Sequence, residues 1–317
     1  MVPKPKDPLA IVKMASANKR PHLALETPDT TEESSSSDEE PSGDEEEEEE
    51  DHEVGEEPEE NNKEIQVEFE ARVPHARDFH GIVRLLSGMF KQPHSVNVTE
   101  LTEYIINQRN VGSVITQSMN PFDEDGDDSD EDEFDGEILN EVFGVNTVVH
   151  LNKDNNVTKP LIEYLVNSVT KAQPDNLLKL SALLNDEANK IGLIISERIM
   201  NIPPQISVPL YETLFNEIRK ARAKKFPFDF NYLFLIAKQL HDTDGAADVV
   251  YTNAEEEVIK ERSNHVLEVV LPNEEAAPKK MDWSDTQYDE KYKILVFAWD
   301  KCEEILSSIK NSFPMHS

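Results

Sequence analysis

One cysteine, ten glycines and no long apolar run: this chain is first defined by what it holds little of. Cys302 alone cannot close an internal disulfide, and a single thiol fits a reducing compartment. Ten glycines in 317 residues leave little room for a phosphate-cradling loop, and neither G-x-x-x-x-G-K-S/T nor a G-x-S-x-G elbow occurs. No uninterrupted apolar stretch reaches the ~18 residues that a membrane span requires. The opening MVPKPKDPLAIVKMASANKRPH also lacks the apolar core and small-residue ending of a secretory leader. The sequence therefore reads as neither secreted nor membrane-spanning.

Bases are missing from two stretches. Glu32–Glu60 holds eighteen acids and Asp123–Glu137 eleven, with no Lys or Arg in either. Outside them 36 acids face 31 bases, an ordinary balance for a soluble domain, so the net charge of −34 resides in two modules rather than in the fold. Such a polyanion repels the phosphate backbone, which disfavours direct nucleic-acid binding. Basic proteins are the natural partners.

Residues 1–62 combine Pro, Ser and acids with few large apolar side chains, so burial cannot offset chain entropy and a disordered acidic N-terminal region is expected. Residues 63–317 are expected to form a single domain, interrupted by a disordered acidic loop at about 121–137. EIQVEFEA alternates Ile65, Val67, Phe69 and Ala71 with polar neighbours, the period of a half-buried strand. DFHGIVRLLSGMF switches to helical spacing, and ELTEYIINQ follows as a second helix with Thr99 near its start. VGSVITQ and EVFGVNTVVHL read as strands joined by the acidic tract FDEDGDDSDEDEFDGE.

Helices are predicted over Pro160–Ala172 and Asp175–Asn189, the second capped by Asp175. IGLIISER reads as a buried strand and PLYETLFNEIRKAR as a helix with bases in its last turns. DFNYLFLIAKQL, HVLEVVL and KYKILVFAW are strand candidates, and KCEEILSSIK closes as a helix. Strands and helices interleave without strict alternation, which predicts an α+β fold with a mixed central β-sheet flanked by helices.

Chemistry-bearing patterns fail one by one. Aligning Gly126 to the sixth position of a calcium loop puts Pro121 first and Asp132 last, which is not an EF-hand. RNVGSV, Arg109–Val114, approaches the R/Q-x-x-G-x-G/A pyrophosphate motif of GCN-five-related N-acetyltransferases. It ends in Val, however, and runs into a strand, so a structural glycine is the better reading. His75, His80 and His241 lack the Cys or Glu company of a zinc site, and Cys302 reads as a small buried hydrophobe. No catalytic residue, metal or cofactor is expected. Ser35, Ser36, Ser37, Ser42 and Ser129 each have an acid three residues on, the pattern of acid-directed kinases, which makes them candidate phosphosites.

SERIMNIPPQISVPLYETL, Ser196–Leu214, resembles the stretch after a central strand in the BCCIP family of eukaryotic nuclear proteins. VNVTELTEYIINQRNVGSVITQ, the acidic run into DEFDGEILNEVFGV, and NAEEEVIKER occur in family order. MASANKR, Met14–Arg20, resembles the usual family start, which leaves translation from Met1 or from Met14 open. The resemblance implies an acetyltransferase-like α+β fold without the active site. It further implies escort of a basic large-subunit ribosomal protein, binding of cell-cycle and recombination proteins, and association with centrosomes and spindle poles. One departure stands out: HDTDGAADVV replaces a lysine-rich insertion that some members carry ahead of NAEEE.

The leading expectation is a non-enzymatic nuclear binding protein or chaperone whose acidic tracts shield a basic client. Its client-binding residues would be Asp123, Glu124, Asp125, Asp127, Asp128, Asp130, Glu131, Asp132 and Glu133. The alternative is a scaffold for a CDK inhibitor and for recombination-repair proteins, acting at centrosome and spindle pole and also cytoplasmic. Acetyl transfer comes third. Pro203-Pro204 fixes an extended connection and Pro209 opens the following helix, a turn that either packs or presents Ile206 and Tyr211 to a partner.

Overall fold

Two periodicities, alternation in the strands and i/i+3/i+4 spacing in the helices, build a sheet with helices on both faces. The computed structural model describes residues 10–15, 66–90, 95–108, 111–117, 141–169, 174–199, 202–242, 249–269, 279–280 and 287–315. The strands are β1 (Ala10–Ala15), β2 (Gln66–Arg72), β3 (Ser113–Gln117), β4 (Gly144–His150) and β5 (Ile191–Arg198). They continue with β6 (Tyr232–Asp242), β7 (Val250–Tyr251), β8 (His265–Val269), β9 (Lys279–Lys280) and β10 (Gln287–Ala298). The helices are α1 (Phe79–Met89), α2 (Val98–Asn107), α3 (Lys159–Ser168), α4 (Pro174–Asn185), α5 (Ser207–Ala223), α6 (Glu255–Arg262) and α7 (Cys302–Ser312). Strand order is β1-β2-β3-β4-β5-β6-β10-β8, with β7 beside β6 and β9 beside β10. Every described register is antiparallel except that of β5 with β6, so the sheet is mixed.

The central strands are apolar on both faces because both are covered. Val145, Val149, Leu193, Ile195, Phe234, Ile236, Ile294 and Val296 pack under α1–α4, through Ile82, Leu86, Leu101, Ile105, Leu161, Leu165 and Leu180. Their neighbours Val148, Ile194, Leu233, Leu235, Leu295 and Phe297 pack on the other face against α5, α6 and α7. Each such fully buried side chain contributes roughly 1.5–3 kcal/mol. Asn97 caps α2, its side-chain oxygen accepting from the Thr99 and Glu100 amides at 3.1 and 3.3 Å. At the edge of the helical layer, Arg72 holds the buried Asp78 with two bonds of 2.7 Å.

Gly112 occupies φ +123, a backbone that L side chains rarely adopt, and an added Cβ would strike the Thr147 side chain. It opens β3, and its amide donates to Glu217 at 2.9 Å. The glycine of RNVGSV is thus structural. Asp175 is not the cap of α4: the helix already begins at Pro174, leaving Asp175 in the first turn beside the helix dipole. α3 and α4 stop at Ser168 and Asn185, short of the predicted ends at Ala172 and Asn189. Of residues 1–62, β1 is described as a strand next to β2, and the remainder lies outside the described residues. The contact pattern separates residues 15–66 from a unit made of 1–14 and 67–317; only the latter is described further.

Candidate functional site: the acid-bearing end of the sheet

Register decides where the connections fall. Phe69 pairs with Gln117 and Ile115 with Gly144, so β2 and β4 both begin at the end of the sheet where β3 stops. Gly144 pairs with Arg198, β6 runs parallel to β5, and Tyr288 pairs with Asp242, so β5 and β6 finish, and β10 begins, at that same end. The connections between strands there include 118–140, 243–248, 270–278 and 281–286, none of which lies within the described residues. Each contains acids and none contains Lys or Arg, although β9, Lys279–Lys280, lies between the last two: eleven acids in the first, and Asp244 and Asp248, Glu274 and Glu275, Asp282 and Asp285 in the others. Topology thus brings to one end the strand termini that these acidic segments join.

A built structure seals that end between the parallel strands. β5 and β6 pair only from Ile191↔Tyr232 to Ile194↔Leu235 and then diverge. β7 takes up the freed edge of β6 through Gln239↔Tyr251 and Leu240↔Val250, and Thr252 N–H donates to the Lys238 carbonyl at 2.9 Å. The start of α6 completes the closure. Glu256 accepts from the Lys238 amide at 3.1 Å, while the Asn253 side-chain amide donates to the Ser196 carbonyl at 3.4 Å and to Glu256 at 2.8 Å. Arg198 grips Glu255 with two bonds of 2.6 Å, and both side chains are buried.

Electrostatics explain why the plug is charged. Burial works against the Arg198 charge, but Glu255 outweighs it and raises the Arg198 pKa further. Among the described residues Glu256 forms no ion pair. Burial pushes its pKa well above the usual carboxylate range, the charges of Glu255 and Glu197 add to this, and the Asn253 and Lys238 hydrogen bonds oppose it. Buried Tyr211 stands over the same cluster, its phenol raised by burial and by Glu255.

Ile206 and Tyr211, read above as a possible partner surface, are 1% and 0% exposed. Ile206 packs with Ala71, Ile115, Ile202 and Leu210 beneath the short helix Pro204–Ile206, and Tyr211 packs in the α5 core with its ring edge-on to Phe215. That surface assignment is corrected: the Pro203-Pro204 turn drives both side chains inward. Asp123–Glu133, Ser35, Ser36, Ser37, Ser42 and Ser129 lie outside the described residues. Cys302 is buried, its thiol pushed up to about 12 by desolvation. His75 and His80 are exposed, and among the described residues no group of His, Cys, Asp or Glu is arranged to hold a metal ion. Nor is any helix among them long and apolar enough to cross a membrane.

Sequence reading missed the plug. Its one local signal is Arg198, a guanidinium ending a strand of six buried residues, which demands a carboxylate from elsewhere.

A two-sided mixed sheet, sealed between its parallel strands and extended by acidic connections, defines an acidic α+β platform. The chain belongs to the BCCIP family, whose model, described as BCCIP, matches residues 64–287. It is 32% identical over 257 residues to "Protein BCCIP homolog" of Drosophila melanogaster, covering 78% of this chain and 85% of that one. It is 29% identical over 270 residues to "BRCA2 and CDKN1A-interacting protein" of Bos taurus, covering 78% and 84%. The crystal structure of BCP1 from Saccharomyces cerevisiae shares the fold with TM-score 0.52 at 16% identity, covering 80% of this chain and 93% of that one.

Proposed function

We propose that this protein is a non-enzymatic nuclear chaperone or carrier: a rigid platform whose acidic connections attract and shield a basic client, with a large-subunit ribosomal protein as the client class. The observation that carries this reading is the convergence of acidic connections on one end of the sheet. Long-range attraction needs charge near a surface but no fixed register, which segments between strands supply without disturbing the core. The likeness to an acetyltransferase fold belongs to the same reading. Diverging parallel strands offer free backbone groups to an extended amide-bearing ligand such as an acyl-CoA arm, and here Thr252, Asn253 and Glu256 occupy them.

The names of the mammalian relatives favour a second reading, a scaffold for recombination and CDK-inhibitor proteins, which we extend to a role at centrosome and spindle pole. Stopped-flow association with a basic ribosomal protein across a salt series separates the two. Charge shielding predicts a rate falling steeply with salt, and apolar docking predicts a flat one. Nuclear residence is part of the proposal, and exclusion of the tagged protein from interphase nuclei counts against it.

A further inference from the structure

We infer that the opposite, base-rich end of the molecule is a docking surface for an acidic, aromatic-bearing segment of a partner protein. The surface is built at the C-terminus of α5. Five of the chain's 31 bases, Arg219, Lys220, Arg222, Lys224 and Lys225, fall within residues 219–225 of a chain whose net charge is −34. This helix end precedes β6, which starts beside the start of β5, at the end of the sheet away from the acidic connections.

The five bases divide into two kinds. Arg219 pairs with Glu303; Arg222 binds Asp229 at 2.7 Å and lies 5.1 Å over the Trp299 ring. Asp229 also holds Lys190 at 3.4 Å, so these groups form a fixed frame. Lys220, Lys224 and Lys225 are exposed and have no ion-pair partner among the described residues. Just past the helix and its C-cap Lys224, Lys225 stands at φ 59, the only non-glycine residue at positive φ among those described. Lys225 and Phe226 donate their amides to Arg222 and Ala221 at 2.9 and 3.0 Å. Glycine is the usual occupant of that position. The turn delivers Phe226 to solvent, 40% exposed, directly beside the lysines.

The helix dipole favours bases in a last turn. It accounts neither for lysine in the glycine position nor for an exposed phenyl ring. Charge complementarity selects an anionic occupant, and the ring beside the lysines selects a peptide that carries an aromatic side chain among its acids. A polynucleotide fits less well, because it is held by neutralisation along an extended stripe. Here these exposed lysines are confined to residues 220–225, and the neighbouring Arg219 and Arg222 are already taken by Glu303 and Asp229. Lying at the far end of the sheet, the surface leaves a basic client and an acidic partner free to bind together.

The test is fluorescence anisotropy of the full chain with a short fluorescein-labelled peptide of Asp and Glu containing Phe, at low salt. Saturable binding is expected. Lys220→Glu/Lys224→Glu/Lys225→Glu should weaken it by about tenfold or more and flatten its salt dependence. Phe226→Ser should weaken it by a few-fold with the salt slope and melting temperature unchanged. No binding by the wild type, or equal binding by the triple variant, overturns the inference. Tighter binding of labelled oligouridylate through the same lysines replaces the occupant with nucleic acid and also overturns it. Sedimentation velocity adds a last check: wild-type self-association that the triple variant abolishes makes the occupant a second copy of this chain and overturns the inference.

Discussion

The two ends of the sheet handle charge in opposite ways. At one end the strand termini are joined by acid-rich sequence, and the side chains between the parallel strands form a sealed cluster in which Arg198 answers Glu255. At the other end the excess base sits on the helix end itself, part of it framed by Asp229 and Trp299. Charge that must only be near something is carried by connecting chain; charge that must be in a place is carried by a helix end or a buried pair.

The comparison breaks most visibly at the buried pair. Arg198→Ala strands Glu255 in the interior, and losing one partner of a buried pair costs about 3–5 kcal/mol. For a domain of this size that lowers the melting temperature by about 10 °C in a thermal scan. Removing both charges with Arg198→Met/Glu255→Leu should restore most of it, because neither charge is then left unpaired in the interior. If the single variant melts like the wild type, the plug does not hold the strands together.

Next comes the connecting acid. Replacing Asp and Glu by Asn and Gln throughout Asp123–Glu137 should slow association with a basic ribosomal protein about 10- to 100-fold at low salt. A scrambled tract of equal charge should associate at nearly the native rate in the same stopped-flow traces. Equal losses in both would mean that the tract is read residue by residue.

Glu256 gives a smaller, pH-dependent effect. Its folded pKa stands above its unfolded one, so the stability it contributes is complete below the ordinary carboxylate range and is lost as pH rises through the folded value. Glu256→Gln should therefore melt like the wild type near the acid end of that window and above it at alkaline pH, by the few degrees that ~1 kcal/mol gives. Parallel melting curves at all pH values would show that the carboxyl stays charged.

Smallest is Lys225→Gly. Relief of the left-handed backbone outweighs the added unfolded-state freedom of glycine, for a net gain of about 0.5–1 kcal/mol. Affinity for the acidic peptide should fall in the same variant, setting stability against binding at one residue.

Much of the fold was legible. β3, β5, β6 and β10 carry apolar runs that only strands covered on both faces bury, and α1 and α7 carry clean stripes. α6 was not legible as an element, because its buried residues include Glu255 and Glu256, side chains that read as solvent-facing until Arg198 and Lys238 are brought to them. For Tyr211 the rigid Pro203-Pro204 turn left packing and presentation to a partner both open, and the structure takes the first, its ring filling the α5 core. The acidity was legible as two modules, but that several strand termini joined by acidic segments share one end depends on strand order, which no local pattern encodes.

The distance in sequence between Arg198 and Glu255 also sets a timetable for biosynthesis. The two are 57 residues apart, so at the usual ~5–20 residues per second Arg198 is added to the chain, and later leaves the ribosome, about 3–11 s before Glu255. During that interval the nascent chain holds an apolar strand ending in an unanswered guanidinium, with the acidic tract already translated.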